Sequence, residues 1–412
     1  MVRRHQYAPL SQTSHPHCMS EKCLYCGNNP ISHRLMWLSQ SFVIIMNPIG
    51  RVLAGGRLSR LFSKFTDLFF KATFAVLDLC GAIEENTDKS KVVSDRGMAL
   101  WDEAEARGIP FKSFVVWGKP VDIYEAEVKG KKIKFNGLPR PPHNESGSDW
   151  WLDDKATVKK RLQEAGIPVA NGGAFTDFKP LQKMFQKLRK PVIVKPRIGS
   201  RGRHTTTHIS TEEDLANAFK RAKQLCHWVV MEEHLVGSVY RGTMIDGKFT
   251  GNLRGDPPRI TGDGIHTIEE LVIIKNANRH PQVKEVKLSN IHTEFLARIG
   301  KKLDDVLPAG QTIDILEKIG TSYGGFRAEV TDDTHPEIKR TLEAAAAIVK
   351  DPMIGFDFII ENVSRSPHEQ IWGIIECNGV PFIDLHHYPL EGKPNQVARH
   401  VWDFVEKNVE LF

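Results

Sequence analysis

The chain has 412 residues, of which 41% are hydrophobic and 26% are charged, and its formal net charge is +6. This composition indicates a soluble protein of two to three domains with a sizeable core, for which we expect a cytoplasmic location. The excess positive charge is small and spread along the chain. It favours an anionic ligand and gives no support for a nucleic-acid partner.

Residues 1–90 form an N-terminal segment to which the sequence assigns no role, and which we expect to be helical in part. MVRRH begins like a signal peptide, but the polar SQTSHPH follows instead of an apolar core. Residues 34–79 then mix apolar and basic residues, which is compatible with helices on a membrane surface or with part of a domain core. The longest apolar run, FVIIM, is too short to span a bilayer.

The cysteines of this segment have a spacing close to that of metal sites. Two interpretations stay open: a Cys/His zinc site, or a reduced and poorly ordered tail, because no second CxxC pair closes the site. The candidate ligands are Cys18, Cys23 and Cys26, with His15, His17 and His33 nearby. The other cysteines have apolar neighbours and are expected to be small buried side chains; they are Cys80, Cys226 and Cys377.

Residues 91–150 are predicted to form a separate small α/β unit. VSDRGMALWDEAEARGIPF is typical of a helix and a turn, and FKSFVVWG and KKIKF alternate like strands. LPRPPHNESGSDWW, rich in Pro and Gly, is expected to be a linker.

A strand followed by a glycine-rich basic loop comes next. Pro191 to Lys195 is predicted to be a strand that ends in a cation, and Pro196 stops it. The following loop could turn backbone N–H groups and arginines toward anionic oxygens, although an ordinary basic turn is the alternative. Its residues are Gly199, Ser200, Arg201, Gly202 and Arg203. A helix should follow, capped by Ser210 and Glu213, with one apolar face formed by Leu215, Ala218, Phe219 and Ala222.

A second strand, Trp228 to Met231, leads into Glu232, Glu233 and Leu235. A strand that becomes a short linker in this way can hold a purine, because its backbone reads the edge of the ring and apolar residues cover its faces. The next strand is predicted to turn at Asp246-Gly247, which is a hairpin signal.

Near the C-terminus, two apolar strands carry acids. Asp357 lies in GFDFII, and Glu376 and Asn378 lie in IIECN. Glu376 and Asn378 are two residues apart, so both project from one face, and Cys377 projects from the other. Buried carboxylates need a counter-charge, and one or two Mg²⁺ ions held against a polyphosphate would supply it. The alternative is that these acids are paired with Lys or Arg.

In their order along residues 150–408, these motifs resemble the ATP-grasp superfamily. The motifs are DDKATVKKRLQEAGIPV, PVIVKPRIGSRGR, VVMEEHL, YRGTMIDGK, GFDFII and IIECN. DPPRITGDGIHTIEELV, GGFRAEVTDDTHPE and DLHHYPLEGKPNQVARHVWDFV resemble in particular the ATP-grasp part of cyanophycin synthetase and of bifunctional glutathione-synthesising enzymes. The resemblance implies an α+β ATP-grasp fold at residues 151–408, with residues 91–150 as a pre-grasp-like unit.

The resemblance also implies roles for single residues. Lys155 and Lys195 match the lysines that touch ATP phosphates, and Asp357, Glu376 and Asn378 match the Mg²⁺ ligands, with two ions expected and Mn²⁺ as an alternative metal. Glu232 matches the acid that opens the adenine linker, with Glu233 and Leu235 near the base. Many relatives bind the ribose through a second acid; the aligned position here is near Val239, so Glu232 or a water would have to replace it.

The function that this resemblance implies is an ATP- and Mg²⁺-dependent carboxylate–amine ligase that forms an amide through an acyl phosphate. The expected substrates are small-molecule carboxylates and amines such as an amino acid or a short peptide, and a homo-oligomer is compatible with the sequence. An arginine should stabilise the oxyanion of the tetrahedral step, and the candidates are Arg254 and Arg241, unless they are paired with Asp256 or Asp263. The alternatives are an ATP-grasp enzyme that phosphorylates a small molecule without ligation, and a non-catalytic nucleotide-binding protein.

Two expectations concern the ends of the chain. The glycine-rich ligase module that follows in cyanophycin synthetase is expected to be missing, because the chain ends at Phe412. Every ATP-site motif lies after residue 150, so deletion of residues 1 to about 60 is expected to leave ATP-dependent phosphate release intact.

Overall fold

The computed structural model describes residues 23–28, 30–54, 76, 79–141, 151–199 and 201–412, with the backbone alone at residues 46–54. Within these ranges the chain forms α-helices and antiparallel sheets. The helices are α1 (His33–Ala54), α2 (Asp95–Ala106), α3 (Lys155–Glu164), α4 (Phe178–Phe185), α5 (Glu212–Lys223), α6 (Ile268–Ala277), α7 (Asn290–Arg298), α8 (Pro336–Val349), α9 (Asp384–His387) and α10 (Val397–Lys407).

The strands form four sheets in the described part of the chain. The strands are β1 (Ile83–Asn86), β2 (Phe111–Val116), β3 (Lys119–Val128), β4 (Lys131–Asn136), β5 (Gly172–Phe175), β6 (Val192–Pro196), β7 (Thr206–Ile209), β8 (Val229–Glu233), β9 (Ser238–Ile245), β10 (Lys248–Asp256), β11 (Arg259–Thr261), β12 (Thr312–Asp314), β13 (Phe326–Glu329), β14 (Met353–Ile360) and β15 (Gly373–Asn378).

The first sheet is an antiparallel meander in the order β1-β2-β3-β4. It begins at Ile83, upstream of the predicted boundary at residue 91. The unit does not close its core alone, because α2 packs against α10 and the indole Nε1 of Trp402 donates to the carbonyl of Leu100 at 3.0 Å. The C-terminal helix therefore completes the core of this unit, and its division from the rest of the chain stays a prediction.

The second sheet has the order β5-β8-β6-β7 and is also antiparallel. Helices α4 and α5 cover it, and the predicted apolar face of α5 is buried in this core. The predicted cap of α5 is wrong by one residue: the side chain of Thr211, not of Ser210, accepts from the backbone N–H of Asp214. Thr211 is followed by acids at all of the first helical positions, which suit the positive end of the helix.

The third sheet has the order β13-β10-β9-β14-β15, with every pair antiparallel. β9 and β10 are joined at Asp246-Gly247, where φ is 50° and 71°, as the predicted hairpin requires. Helices α3 and α8 cover one face, with Leu342, Phe356 and Phe358 in a shared core. The predicted acid strands are β14 and β15, which lie next to each other at one side of this sheet, with β15 at its edge.

A smaller unit is inserted between β10 and β13. It consists of β11 and β12 with helices α6 and α7, and it has its own core around Ile268, Leu296 and Ile315. The Thr267–Glu270 capping box begins α6. This insertion places α7 beside β7, so the unit contacts the second sheet as well as the third.

The cysteine predictions are met in part. Cys226 and Cys377 are buried, and Cys377 lies in the core face opposite to Glu376 and Asn378, as strand alternation requires. The prediction for Cys80 is wrong, because its side chain is exposed. Among the described residues, no helix combines the length and the apolar character that a membrane-spanning segment needs.

Candidate active site

The site is built around the N-terminus of α3. Asp154 caps this helix by accepting from the backbone N–H groups of Ala156 and Thr157 at 3.1 and 3.2 Å. Arg197, just beyond β6, donates from Nε and Nη2 to the two oxygens of Asp154, both at 2.7 Å. Burial opposes the ionised form, but Arg197 lowers the pKa of the Asp154 carboxyl. The paired cap fixes the start of α3 against the end of β6.

Lys155, the first residue of α3, is thereby held at the edge of the third sheet. Its side chain is buried, and its Nζ lies 3.2 Å from Oε1 of Glu376 on β15. The same Nζ donates to the carbonyl oxygen of Gly199 at 2.6 Å. Lys155 thus joins the glycine-rich loop to an acid strand.

The three predicted metal-binding residues lie on one face of the third sheet. In the strand register Asp357 is opposite Glu376, and Asn378 is opposite Gly355. The amide nitrogen of Asn378 is 3.3 Å from Oδ2 of Asp357. The donor set of two carboxylates and one amide is the kind that Mg²⁺ prefers, so these residues fit the ion.

Both acids are also paired with cations, which is the alternative that the sequence left open. Arg241 on β9 is opposite Asp357 and donates from Nε and Nη2 to its two oxygens at 2.6 and 2.7 Å. Burial opposes the charge of Arg241, but Asp357 raises its pKa above the ordinary value. A bound Mg²⁺ would therefore have to share Asp357 with Arg241 and Glu376 with Lys155.

A second charged cluster lies beneath the first turn of α3. Glu232 on β8 is 1% exposed, and its two oxygens lie 2.9 Å from Nζ of Lys195 and 2.5 Å from Nζ of Lys159. Burial opposes the ionised form, yet the two ammonium groups lower the pKa of the Glu232 carboxyl to about 2. Lys195 lies at the end of β6, close to the loop that follows, and it shares the Glu232 carboxylate with Lys159.

The residues of the predicted purine linker differ in accessibility. Leu235 is buried, whereas Glu233 is partly exposed and accepts from the backbone N–H of Arg189 at 3.1 Å. Glu232 is enclosed by its two lysines, so it offers no free oxygen to a ribose.

The glycine-rich loop has the backbone conformation that its glycines allow. The φ angles of Gly199 and Gly202 are 141° and 60°, and Arg201 also lies in the left-handed region at 60°. Ser200 lies outside the described residues. Positive φ angles of this kind occur in loops that present backbone groups to anions.

The structure does not bring the two candidate arginines together. Arg241 is opposite Leu253 in the strand register and Arg254 is opposite Tyr240, so the two side chains project from opposite faces of the sheet. Nη2 of Arg254 lies 2.7 Å from Asp256, the pairing that the sequence named as the alternative. Of the two arginines, only Arg241 contacts one of the predicted metal-binding acids, Asp357.

Three residues of this site were not predicted from the sequence. They are Asp154, Lys159 and Arg197. Asp154 has a sequence signal, since an Asp before a helix that starts with Lys-Ala-Thr is an N-cap. The signal for Lys159 is recognisable only once the helix is known, because Lys159 lies one turn from Lys155 on the same face.

With this geometry in place, comparison with known proteins gives related sequences of two kinds. The chain is 29% identical over 263 residues to cyanophycin synthetase of Synechocystis sp., covering 61% of this chain and 30% of the relative. It is 27% identical over 263 residues to the glutathione biosynthesis bifunctional protein of Clostridium perfringens, covering 62% of this chain and 34% of the relative. No protein-family model matches the chain.

A solved structure is similar over a larger share of the chain. The bifunctional glutathione synthetase from Pasteurella multocida superposes with a TM-score of 0.51 at 24% identity, covering 75% of this chain and 44% of that one. The resemblance inferred from the sequence is thus confirmed, and the chain has the α+β ATP-grasp fold. It spans about a third of the length of these curated relatives.

Proposed function

We propose that the protein is an ATP- and Mg²⁺-dependent ligase that joins a small carboxylate to an amine through an acyl phosphate. The observation that carries the proposal is the convergence of Lys155, Arg241, Asp357, Glu376 and Asn378 on one sheet face beside a glycine-rich loop. Ion pairs that only stabilised the fold would not need to lie together on one face beside this loop. A cluster of both signs beside such a loop suits a polyphosphate with its metal ions.

Each residue of the candidate site has a role in the proposed reaction. Lys155 and Lys195 would bind phosphate oxygens of ATP, and Asp357, Glu376 and Asn378 would hold two Mg²⁺, with Mn²⁺ as the alternative ion. The metal would neutralise developing charge on the transferred phosphoryl group, where positioning and electrostatics dominate the reaction. Glu233 and Leu235 would contribute to the purine site.

Arg241 is the residue that we assign to the oxyanion of the tetrahedral step. The substrate carboxylate would attack the γ-phosphorus of ATP and displace ADP, and the amine would then attack the acyl carbon, lose a proton and release phosphate. Arg241 is held beside the acids by the two hydrogen bonds that it donates to Asp357. If bound metal ions drew the Asp357 carboxylate away from Arg241, the guanidinium would become available to a substrate oxygen. Metal binding would then free Arg241 for the tetrahedral step.

The test is a product assay. The protein is incubated with MgATP and mixtures of amino acids and short peptides; ADP and phosphate release are followed, and products are identified by mass spectrometry. We expect ADP, phosphate and a product heavier by one condensed amine. ADP with a phosphorylated small molecule would mean phosphorylation without ligation. Nucleotide binding without release of ADP in any mixture would mean a non-catalytic nucleotide-binding protein.

A further inference from the structure

Four potential metal ligands from distant parts of the sequence meet beside the glycine-rich loop. Cys23, Cys26 and His33 come from the N-terminal segment, and His204 follows the loop. Their ligand atoms all lie within 4.8 Å of one another. Cys26 and His204 are almost fully buried, at 1% and 0% exposure, and the other two are partly buried.

Three distances within this cluster are close to the edges of a tetrahedron around one metal ion. Nε2 of His204 lies 3.6 Å from Sγ of Cys23 and 3.5 Å from Sγ of Cys26, and Nε2 of His33 lies 3.2 Å from Sγ of Cys26. Ligands about 2.0–2.3 Å from a tetrahedral Zn²⁺ are separated from each other by about 3.3–3.8 Å. We propose that Cys23, Cys26, His33 and His204 bind a structural Zn²⁺ ion.

The far side of His204 supports this assignment. Its Nδ1 lies 2.9 Å from the carbonyl oxygen of Arg221, which can only accept, so Nδ1 carries the proton. The lone pair of Nε2 then faces the two sulfurs. Metal-bound histidines commonly donate their second ring N–H to a backbone carbonyl in this way.

The ligand set distinguishes this site from the candidate active site. Two sulfurs and two imidazoles favour Zn²⁺, whereas the carboxylates on the third sheet favour Mg²⁺. Four protein ligands leave no open position for water or substrate, which is typical of structural and not catalytic zinc. The proposal therefore does not depend on the proposed ligase activity.

The contacts around the cluster show which segments the metal would hold together. The backbone N–H of His204 donates to the carbonyl of Tyr25 at 3.2 Å, and Nζ of Lys318 donates to that carbonyl and to Gly202 at 3.0 and 3.1 Å. The guanidinium carbon of Arg221 lies 3.8 Å from the centre of the Tyr25 ring. The zinc would tie the N-terminal segment to the end of the glycine-rich loop.

The zinc site that the sequence left open shares three of these four ligands. Cys23, Cys26 and His33 were among its candidates, whereas Cys18, His15 and His17 lie outside the described residues. The missing partner was not a second CxxC pair but His204, far along the chain. It is brought to the cluster because the N-terminal segment packs on the second sheet, where Ile44 contacts Ile198 and Cys226.

The first experiment measures metal in the full chain, produced without a metal-affinity tag. We expect about one Zn²⁺ per chain by elemental mass spectrometry, bound through thiolates, so that a mercurial thiol reagent releases it as the reagent is added. Replacement by Co²⁺ should give visible absorption bands of tetrahedral cobalt and a thiolate-to-metal charge-transfer band. A chain without zinc that also fails to take up Zn²⁺ or Co²⁺ after reduction would overturn the proposal.

The second experiment uses matched variants. His204→Asn removes the ligand but tolerates the left-handed backbone, where φ is 53°, and His208→Asn is its control because His208 has a similar φ of 57° and lies outside the cluster. Cys23→Ser is matched by Cys80→Ser at an exposed cysteine outside the cluster. We expect the ligand variants to lose the zinc and the controls to keep it.

Two outcomes separate zinc binding from hydrogen-bonded thiols. If the cluster is held only by S–H···N bonds, wild type and controls will contain no zinc, and chelation will not change the melting temperature. If the ligand variants fold poorly, hydrogen exchange of the wild-type chain decides: we expect removal of zinc to increase exchange at residues 23–28 and 201–206. Unchanged exchange after zinc removal would contradict the proposal that zinc ties the N-terminal segment to the glycine-rich loop.

Discussion

Lys155 and Lys159 lie one turn apart on α3, and their ammonium groups contact acids of two different sheets. Lys155 reaches Glu376 on β15, and Lys159 reaches Glu232 on β8. Side chains at i and i+4 share a helix face, so α3 presents both lysines to the boundary between the two sheets. The helix therefore sets the distance between the Glu232 cluster and Glu376 on the third sheet.

The first prediction compares two lysines that share one acid. Lys195→Ala and Lys159→Ala each leave Glu232 with one ammonium partner, so each should destabilise the fold by less than the roughly 3–5 kcal/mol expected for an unpaired buried charge. Only Lys195→Ala should also lower turnover, by roughly 10²–10³-fold, because only Lys195 is assigned to phosphate. Urea unfolding and ADP release measure the two effects. Turnover of Lys195→Ala close to that of wild type would refute its role.

The second prediction concerns metal and nucleotide. ATP with Mg²⁺ should stabilise the fold by about 2.7 kcal/mol at a hundredfold excess over the dissociation constant, and ATP alone by clearly less. Glu376→Gln should remove most of this difference, and Glu369→Gln, at an exposed position, should keep it. Melting curves with ATP, Mg²⁺ and both are compared without a chelator, since EDTA would also strip zinc. A melting temperature that saturating MgATP leaves unmoved contradicts the proposed site.

The third prediction separates the two arginines. Arg241→Ala should lower turnover by roughly 10²–10³-fold, as loss of one preorganised donor does, because Arg241 lies beside the acids. It should not weaken Mg²⁺ binding, since it removes a cation that competes for Asp357. Arg254→Ala should leave turnover close to wild type, because its side chain projects from the other face of the sheet. The reverse order of the two turnover losses would assign the oxyanion to Arg254.

The fourth prediction is a pH dependence. The pKa of Asp154 is lowered below its ordinary value by Arg197, so its contribution to stability is present above about pH 3.8 and is lost as the pH falls through the lowered pKa. Asp154→Asn keeps a good N-cap but removes the charge, so the variant should be less stable at neutral pH and should lose less stability than wild type as the pH falls below about 3.8.

The control for this pH dependence is the neighbouring acid. Asp153 is exposed, and Asp153→Asn should follow the wild-type stability curve. Unfolding free energies from urea titrations at several pH values make the comparison. Parallel curves for wild type and Asp154→Asn would show that the Arg197 pair does not set the acid stability.

The sequence predicted those parts of the molecule that depend on local pattern. The strands around Asp357 and Glu376, the apolar face of α5 and the Asp246-Gly247 turn are all visible in the periodicity and in the turn residues. Pairings between distant segments were not predicted. Nothing in the spacing of Lys159 and Glu232, or of Cys26 and His204, indicates that the fold brings them into contact.

The role of Arg254 shows the same limit in another form. Its motif placed it near the site, but its face is decided by the register of β10 against β9, which a one-residue shift would reverse. Register depends on partners across the sheet and cannot be determined from one strand. The sequence therefore identified the strands correctly and left the choice between Arg241 and Arg254 open.

The last prediction concerns the start of the chain, where the sequence alone favours an accessory tail. Deletion of residues 1–22 should keep zinc and ATP-dependent phosphate release, because it leaves Cys23, Cys26, His33 and the packing of Ile44 in place. Deletion of residues 1–54 should lose the zinc and uncover the apolar surface around Ile198 and Cys226. Loss of the Ile44 contact alone should cost roughly 1.5–3 kcal/mol.

The shorter and longer deletions are compared by zinc content, melting temperature and light scattering, and then by ADP release. We expect the longer deletion to melt at a lower temperature and to aggregate, since it exposes apolar surface that the segment covers. The ATP-site residues all remain, so any soluble fraction should retain phosphate release at a reduced rate, the loop having lost its attachment to Tyr25. A longer deletion that stays soluble, with the melting temperature and activity of the full chain, would restore the tail interpretation and leave the zinc site without a structural role.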